Sequence, residues 1–179
     1  MPRVESPDRS GIRVSAAAAV GLLVWAGTPA ATPATGVPAP PTPALNGTYQ
    51  AVSIGDWAKI DDVYRPLPTV VQTWTIESSC SDPQTCDGQV VSDAGWSADI
   101  HFQTQTWTLR RTLEHWQPCP DDTVYPGHQL YRFYPMTGGT YVVGDSVLAG
   151  DDTTTGEPGA CGVGYPTVIT LPFRLVRLS

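Results

Sequence analysis

WSADIHFQ, residues 96–103, decides the fold. Trp96, Ala98, Ile100 and Phe102 alternate with Ser97, Asp99, His101 and Gln103. Successive side chains of a strand point to opposite faces, so a period of two describes a strand with one face on a core and the other in water. The pattern recurs along the chain. Trp107, Leu109 and Leu113 share one face of the next run, and residues 167–178 present Ile169, Leu171, Phe173 and Leu175 together. Runs at 48–54, 69–77 and 89–92 read as further strands. Runs at 129–135 and 140–148 form a hairpin through Met136-Thr137-Gly138-Gly139, because two glycines accept the positive φ such turns require. Pro172 predicts an edge or a bulge in the last strand. Beyond the N-terminal region no apolar stripe has helical spacing. About eight strands joined by loops rich in Asp, Gly and Pro predict an all-β, antiparallel barrel or a sandwich.

The N-terminal quarter reads differently. Arg3, Arg9 and Arg13 precede the uncharged run VSAAAAVGLLVWA and then the small residues GTPAATPA, the three-part layout of a secretory signal. The apolar run, about 13 residues, is short of the roughly 20 that span a bilayer. Residues 1–30 are therefore expected to be a signal peptide cut near Ala30, with an uncleaved anchor as the alternative and no transmembrane span in the mature form. Residues 31–45, with five prolines, predict a disordered linker in extended polyproline conformation. Residues 46–179 are left as a single β-rich domain.

A formal net charge of −7 gives the wrong sign for long-range attraction to a phosphate backbone, which excludes nucleic acid as the expected partner. Lys59 is the only lysine and Asn46 the only asparagine, a bias suggesting a GC-rich bacterial genome. Cys80, Cys86, Cys119 and Cys161 are even in number and follow an export signal, so they predict two disulfides. Of the three pairings, 80–86 with 119–161 is preferred, because Cys80 and Cys86 bracket SDPQT, which turns the chain back. Zinc would want CxxC pairs or histidines at ligand spacing, and neither is present. No metal or cofactor is implied.

GDSV at 144–147 resembles the serine motif of GDSL-type hydrolases. That family is doubly wound α/β, with its serine near the start of the domain and its histidine far downstream. Here only 33 residues (179 − 146) follow Ser146, and the last histidine, His128, precedes it. The motif reads as a chance match, and no catalytic residue is assigned. Glu114 and His115 are adjacent, hence on opposite faces of a strand; His115 would share the face of Trp107 and Leu113 as a packing histidine. His101 falls on a polar face and His128 in a turn. The acidic stretch 150–162 offers Asp151, Asp152 and Glu157 to calcium but fails as an EF-hand, since its twelfth position is Gly162. A solvated loop closed by Cys161 is the plainer account. Trp57, Trp74, Trp107, Trp116 and Arg111 are the candidate ligand-binding residues, although core volume is the commoner use of such aromatics. Arg111 shares the apolar face of its strand, and would need an acidic partner or an aromatic face to lie on.

Two resemblances bear on function. Gly47-Thr48-Tyr49 followed by Gly55-Asp56-Trp57 resembles the start of lipocalin-like barrels, which implies a late arginine, Arg174 or Arg177, packed over that tryptophan. SSCSDPQTCDGQVVSDAGW, EHWQPCPDD, YRFYP and PGACG together resemble exported actinobacterial, especially mycobacterial, small Cys- and Trp-containing proteins of unassigned activity. The expected function is a secreted or envelope-associated, non-catalytic, disulfide-stabilised domain binding an envelope component, a small apolar ligand or a protein. An envelope hydrolase assembled across strands is one alternative, and a structural or sensor-like ectodomain another.

Overall fold

The structure, a computed structural model, describes residues 41–179. The signal at 1–30 and the linker up to residue 40 lie outside the described residues. Its strands are β1 (Gly47–Ser53), β2 (Lys59–Ile60), β3 (Val63–Tyr64), β4 (Val70–Asp82), β5 (Thr85–Ser92), β6 (Ser97–Gln103), β7 (Thr106–Pro118), β8 (Val124–Thr137), β9 (Thr140–Tyr141), β10 (Val147–Gly156) and β11 (Val168–Arg177). Eight of them, β1, β4, β5, β6, β7, β8, β10 and β11, pair antiparallel in that order, and β11 pairs back onto β1. The wall is a closed up-and-down barrel, which leaves no strand edge to be covered. The β2–β3 hairpin is inserted between β1 and β4 and adds onto β11. Among the described residues no helix is long and apolar enough to cross a membrane.

Alternation fixes what fills the interior. Ile100 and Phe102 of β6, Trp107 and Leu109 of β7, Tyr131 and Phe133 of β8, and Leu171, Phe173 and Leu175 of β11 are buried, as their spacing predicts. Trp74 of β4 stands among them, fully buried, with ring centroids of Tyr131 at 5.0 Å and Phe173 at 5.3 Å. An eight-stranded barrel is just wide enough for side chains to fill, and these aromatics fill it. One end is closed by the arriving chain: Pro43 and Leu45 are buried, and the Leu45 amide donates to Ser78 Oγ at 2.8 Å. The proline-rich run, expected to stay a linker to residue 45, thus joins the domain a few residues earlier. At the opposite end lie the β5–β6 turn and the longer β7–β8 and β10–β11 loops; this is the loop end.

Several expectations need correction. The Gly138-Gly139 turn forms, with φ of 58° and 84°, but the strand expected at 140–148 is only β9. Residues 142–146 bend, so Val142, Gly144 and Ser146 do not line a strand face, and β8 instead pairs with β10 along 148–156. The acidic stretch is therefore mostly barrel wall, where Asp151 and Asp152 point to opposite faces and cannot ligate one ion together. Two further tight turns escape glycine-based reading: Asp61-Asp62 and Thr104-Gln105 hold both central residues at positive φ. In β7 the pairing Leu113↔Gly127 is followed by Gln117↔Tyr125, a bulge that accommodates two extra residues. That shift turns His115 to solvent instead of onto the face of Trp107. Pro172 lies at neither an edge nor a bulge. It sits where β11 exchanges β1 for β2 as its neighbour: its carbonyl still accepts from the Ile54 amide, and with no N–H to return that bond the β1 ladder ends there.

Both disulfides form as paired from the sequence, 80–86 across β4 and β5 and 119–161 between the loops that follow β7 and β10. The second closes a sequence separation of 42 residues, which loop entropy values at about 4 kcal/mol. Replacing Cys119 and Cys161 by alanine should lower the unfolding free energy by about that amount in urea titration. The Cys80/Cys86 pair, spanning 6 residues, should cost about 2 kcal/mol.

Candidate functional site

The interior changes character toward the loop end, where inward positions become polar. Asp152, 4% exposed on β10, accepts from Ser53 Oγ of β1 at 2.7 Å and from Gln129 Nε2 of β8 at 2.8 Å. The same Gln129 nitrogen donates to the Tyr131 hydroxyl at 2.9 Å, and Gln129 Oε1 accepts from Arg111 Nε of β7 at 2.6 Å. The Arg111 guanidinium carbon lies over the Trp96 ring, 4.2 Å from its centroid. One carboxylate, one amide and one guanidinium thus join β1, β7, β8 and β10, and the aromatic face expected to shelter Arg111 is Trp96. The guanidinium over a tryptophan implied by the lipocalin-like start is absent at Trp57: Arg174 is exposed on the outer wall, and Arg177 Nε donates to the Ser179 carbonyl.

Burial governs the titration of this cluster. Loss of hydration pushes the Asp152 carboxyl above the ordinary carboxylate range, against the hydrogen bonds from Ser53 and Gln129 and the charge of Arg111. It likewise pushes the Tyr131 hydroxyl far up and draws the Arg111 guanidinium down. Deeply enclosed and bound on both oxygens, Asp152 is a strand clamp with a titratable centre and has no access to an external reactant.

Trp116 closes this end. The β7 bulge swings its ring over two inward-facing glycines: a Cβ on Gly127 would meet Trp116 Cδ2 at 2.6 Å, and one on Gly156 would meet Cζ3 at 2.9 Å. Trp96 Nε1 and Gln117 Oε1, buried at this end, find no hydrogen-bond partner among the described residues. Of the other candidates, Trp74 and Trp107 are wholly buried in the core, where a ligand would reach them only by displacing packed rings, whereas Trp57 stands 64% exposed outside the barrel. The structure therefore brings Arg111 and Trp116 together at the loop end and separates them from Trp57.

The groups considered for catalysis do not assemble. His101 meets Asp87 at 2.6 Å and His128 meets Glu157 at 2.6 Å, both on the outer wall. Glu114 and His115 are exposed beyond the bulge. Since Thr108 is the cross-strand partner of His101, His115 lies seven residues further on, about 20 Å away along β7.

Fold and site together define an antiparallel eight-stranded barrel with a filled interior, one end polar and clamped. No protein-family model matches the chain, and no curated protein matches it. Among solved structures the chain is similar to the monomer form of the PknI sensor domain of M. tuberculosis, at a TM-score of 0.54 and 20% identity, over 75% of this chain and 87% of that one. At that identity the likeness is one of fold. An all-β, disulfide-bonded domain of this shape is consistent with an extracytoplasmic setting, where such bonds persist.

Two outcomes test the site. Gly127→Ala should cost about 1–3 kcal/mol through overpacking and shift Trp116 toward water, read as a red-shifted fluorescence component that is missing in Gly127→Ala/Trp116→Phe. Because the folded protein raises the Asp152 pKa, its folded form holds the proton more tightly than the unfolded chain. The contribution of Asp152 is then most favourable below the unfolded carboxylate pKa, about 4, and is lost as pH rises through the higher folded value. Asp152→Asn should gain stability relative to the parent between pH 4 and 7 in paired urea titrations.

Proposed function

We propose that the chain is an extracytoplasmic, non-catalytic, sensor-like module that works by surface contact with an envelope component or a protein. The observation that carries this reading is the filled barrel. A binder of small apolar ligands needs an interior void, and here Trp74, Trp107, Phe102, Phe133 and Phe173 take up that space. Contact must then be made by the outer wall and the loops. The fold likeness to a sensor domain supports the same reading, and the dispersal of His101, Glu114 and His115 removes support from an assembled hydrolase site. The export signal and paired cysteines support a secreted or envelope-associated location.

Native and intact mass spectrometry of protein purified from the medium of its own producer tests this reading. The expected mass is that of the chain cut near Ala30, less four hydrogens for the two disulfides, with no apolar molecule retained. A co-purifying lipid-sized mass, released on unfolding, would overturn the contact reading in favour of a small-ligand carrier.

A further inference from the structure

The β2–β3 insertion holds two large aromatic side chains in water. Trp57 and Tyr64 are each 64% exposed, yet the segment carrying them is tied down at close intervals. The Ile54 amide donates to the Pro172 carbonyl at 2.8 Å, that of Leu67 to Gly55 at 3.0 Å, that of Arg65 to Ala58 at 3.0 Å and that of Asp61 to Val168 at 2.8 Å. A side chain at position 55 is impossible, since its Cβ would lie 1.9 Å from the Leu67 carbonyl oxygen. Exposed aromatic surface on so fixed a frame loses little conformational entropy when it is covered.

Between the two rings runs a groove of about 300 Å³, lined also by Lys59, Asp151, Thr170 and Pro172. Lys59 Nζ lies 5.0 Å from the Tyr64 ring centroid. The Asp151 side chain makes no hydrogen bond or ion pair among the described residues, although Arg132 is its cross-strand partner on β8. The lining thus pairs aromatic faces with one cationic donor and one anionic acceptor.

We propose that this groove binds a neutral saccharide, one or both aromatic rings stacking on the C–H face of a pyranose while Asp151 and Lys59 meet its hydroxyls. The proposal rests on the surface-contact reading above and names the chemistry of the partner. A hydroxyl both donates and accepts, so one sugar edge satisfies the acceptor-only Asp151 and the donor-only Lys59 together. A ligand of either charge would be repelled by one of them, and the chain's net charge of −7 disfavours anionic headgroups further. A proline-rich peptide offers carbonyl acceptors and few N–H donors, which leaves Asp151 unmatched. The open groove has room for about one or two sugar rings, so the ligand is a stretch of a longer glycan.

Each tryptophan gives one indole N–H signal in a proton–nitrogen correlation spectrum, and that of Trp57 is identified by its loss in Trp57→Ala. Maltohexaose, mannohexaose, cellohexaose and chitohexaose are titrated against the full mature chain, with decaproline and phosphatidylglycerol vesicles in parallel. The expected result is a saturable shift of the Trp57 signal with at least one hexasaccharide, at a dissociation constant on the order of 1 mM for so open a site. Tyr64→Ala and Asp151→Ala should each weaken it at least about fivefold, and Val91→Ala, three strands from β11, should leave it unchanged. Because Trp57 and Tyr64 are exposed, their variants should melt within about 2 °C of the parent, which separates lost binding from lost folding. A Trp57 shift with decaproline or vesicles and none with sugars overturns the saccharide assignment while leaving surface contact intact. Absence of any Trp57 shift across all six probes overturns it too, and a retained apolar ligand in the mass measurement overturns the contact reading beneath it.

Discussion

Closure of the wall is the constraint on which the rest of the structure depends. Once β11 pairs with β1, the radius of the cavity is set by the strand number, and the side chains alternating inward must fill that volume and no more. Trp74 sits where this requirement is most demanding, in contact with rings from β8 and β11 and with Trp96 just before β6. The aromatic richness that suggests a binding pocket in the sequence is largely consumed in meeting it. Function is pushed outward as a consequence: a barrel with its bore occupied by its own rings presents partners with its wall, its loops and what is appended to them.

The polar loop end is the same constraint under a different chemistry. Hydrogen-bonded strands cannot simply stop facing inward as they approach the mouth, so the positions there must be satisfied with less apolar volume available. Gln129 solves this by using both ends of its amide, accepting from Arg111 and donating to Asp152, so that opposite charges communicate without direct contact. Truncating Gln129 would leave the Asp152 carboxyl and the Arg111 guanidinium without the amide that joins them, which is the costly way to break such a cluster. The Cys119–Cys161 bridge lies at this end too, which places covalent restraint where apolar packing thins out.

Period two made most of this legible. The inward sets of β6 and β11 and the aromatic need of Arg111 follow from it, while the pairing of Cys80 with Cys86 follows from the turn between them. It failed where a strand carries polar residues inward. Asp152 continues the phase of Leu148 and Thr154, but a stretch of Asp, Thr and Gly has the composition of a loop, and composition outweighed phase. The β7 bulge is invisible to a periodic reading because it changes the phase itself, so the sequence marks Trp116 by its residue type and not by its position. The hairpin turns at 61–62 and 104–105 use Asp, Thr and Gln at positive φ, where tertiary pairing overrides local preference. Tyr64 is not legible as a site residue because an isolated two-residue strand carries no period at all.

The insertion between β1 and β4 shows why the outer wall deserves weight as the working surface. Removing it would leave β11 unpaired beside Ile169 and Thr170 but would not open the barrel, since β1 already closes it at Phe173–Arg177. Its stabilising contribution is therefore modest, yet it holds Trp57 and Tyr64 in a fixed relation to Asp151 on β10, one strand beyond β11. An exposed tryptophan gains nothing from its hydrocarbon surface until something covers it. A segment that adds little to closure, spends several backbone bonds on rigidity and displays two uncovered rings is better accounted for by what it meets than by what it supports.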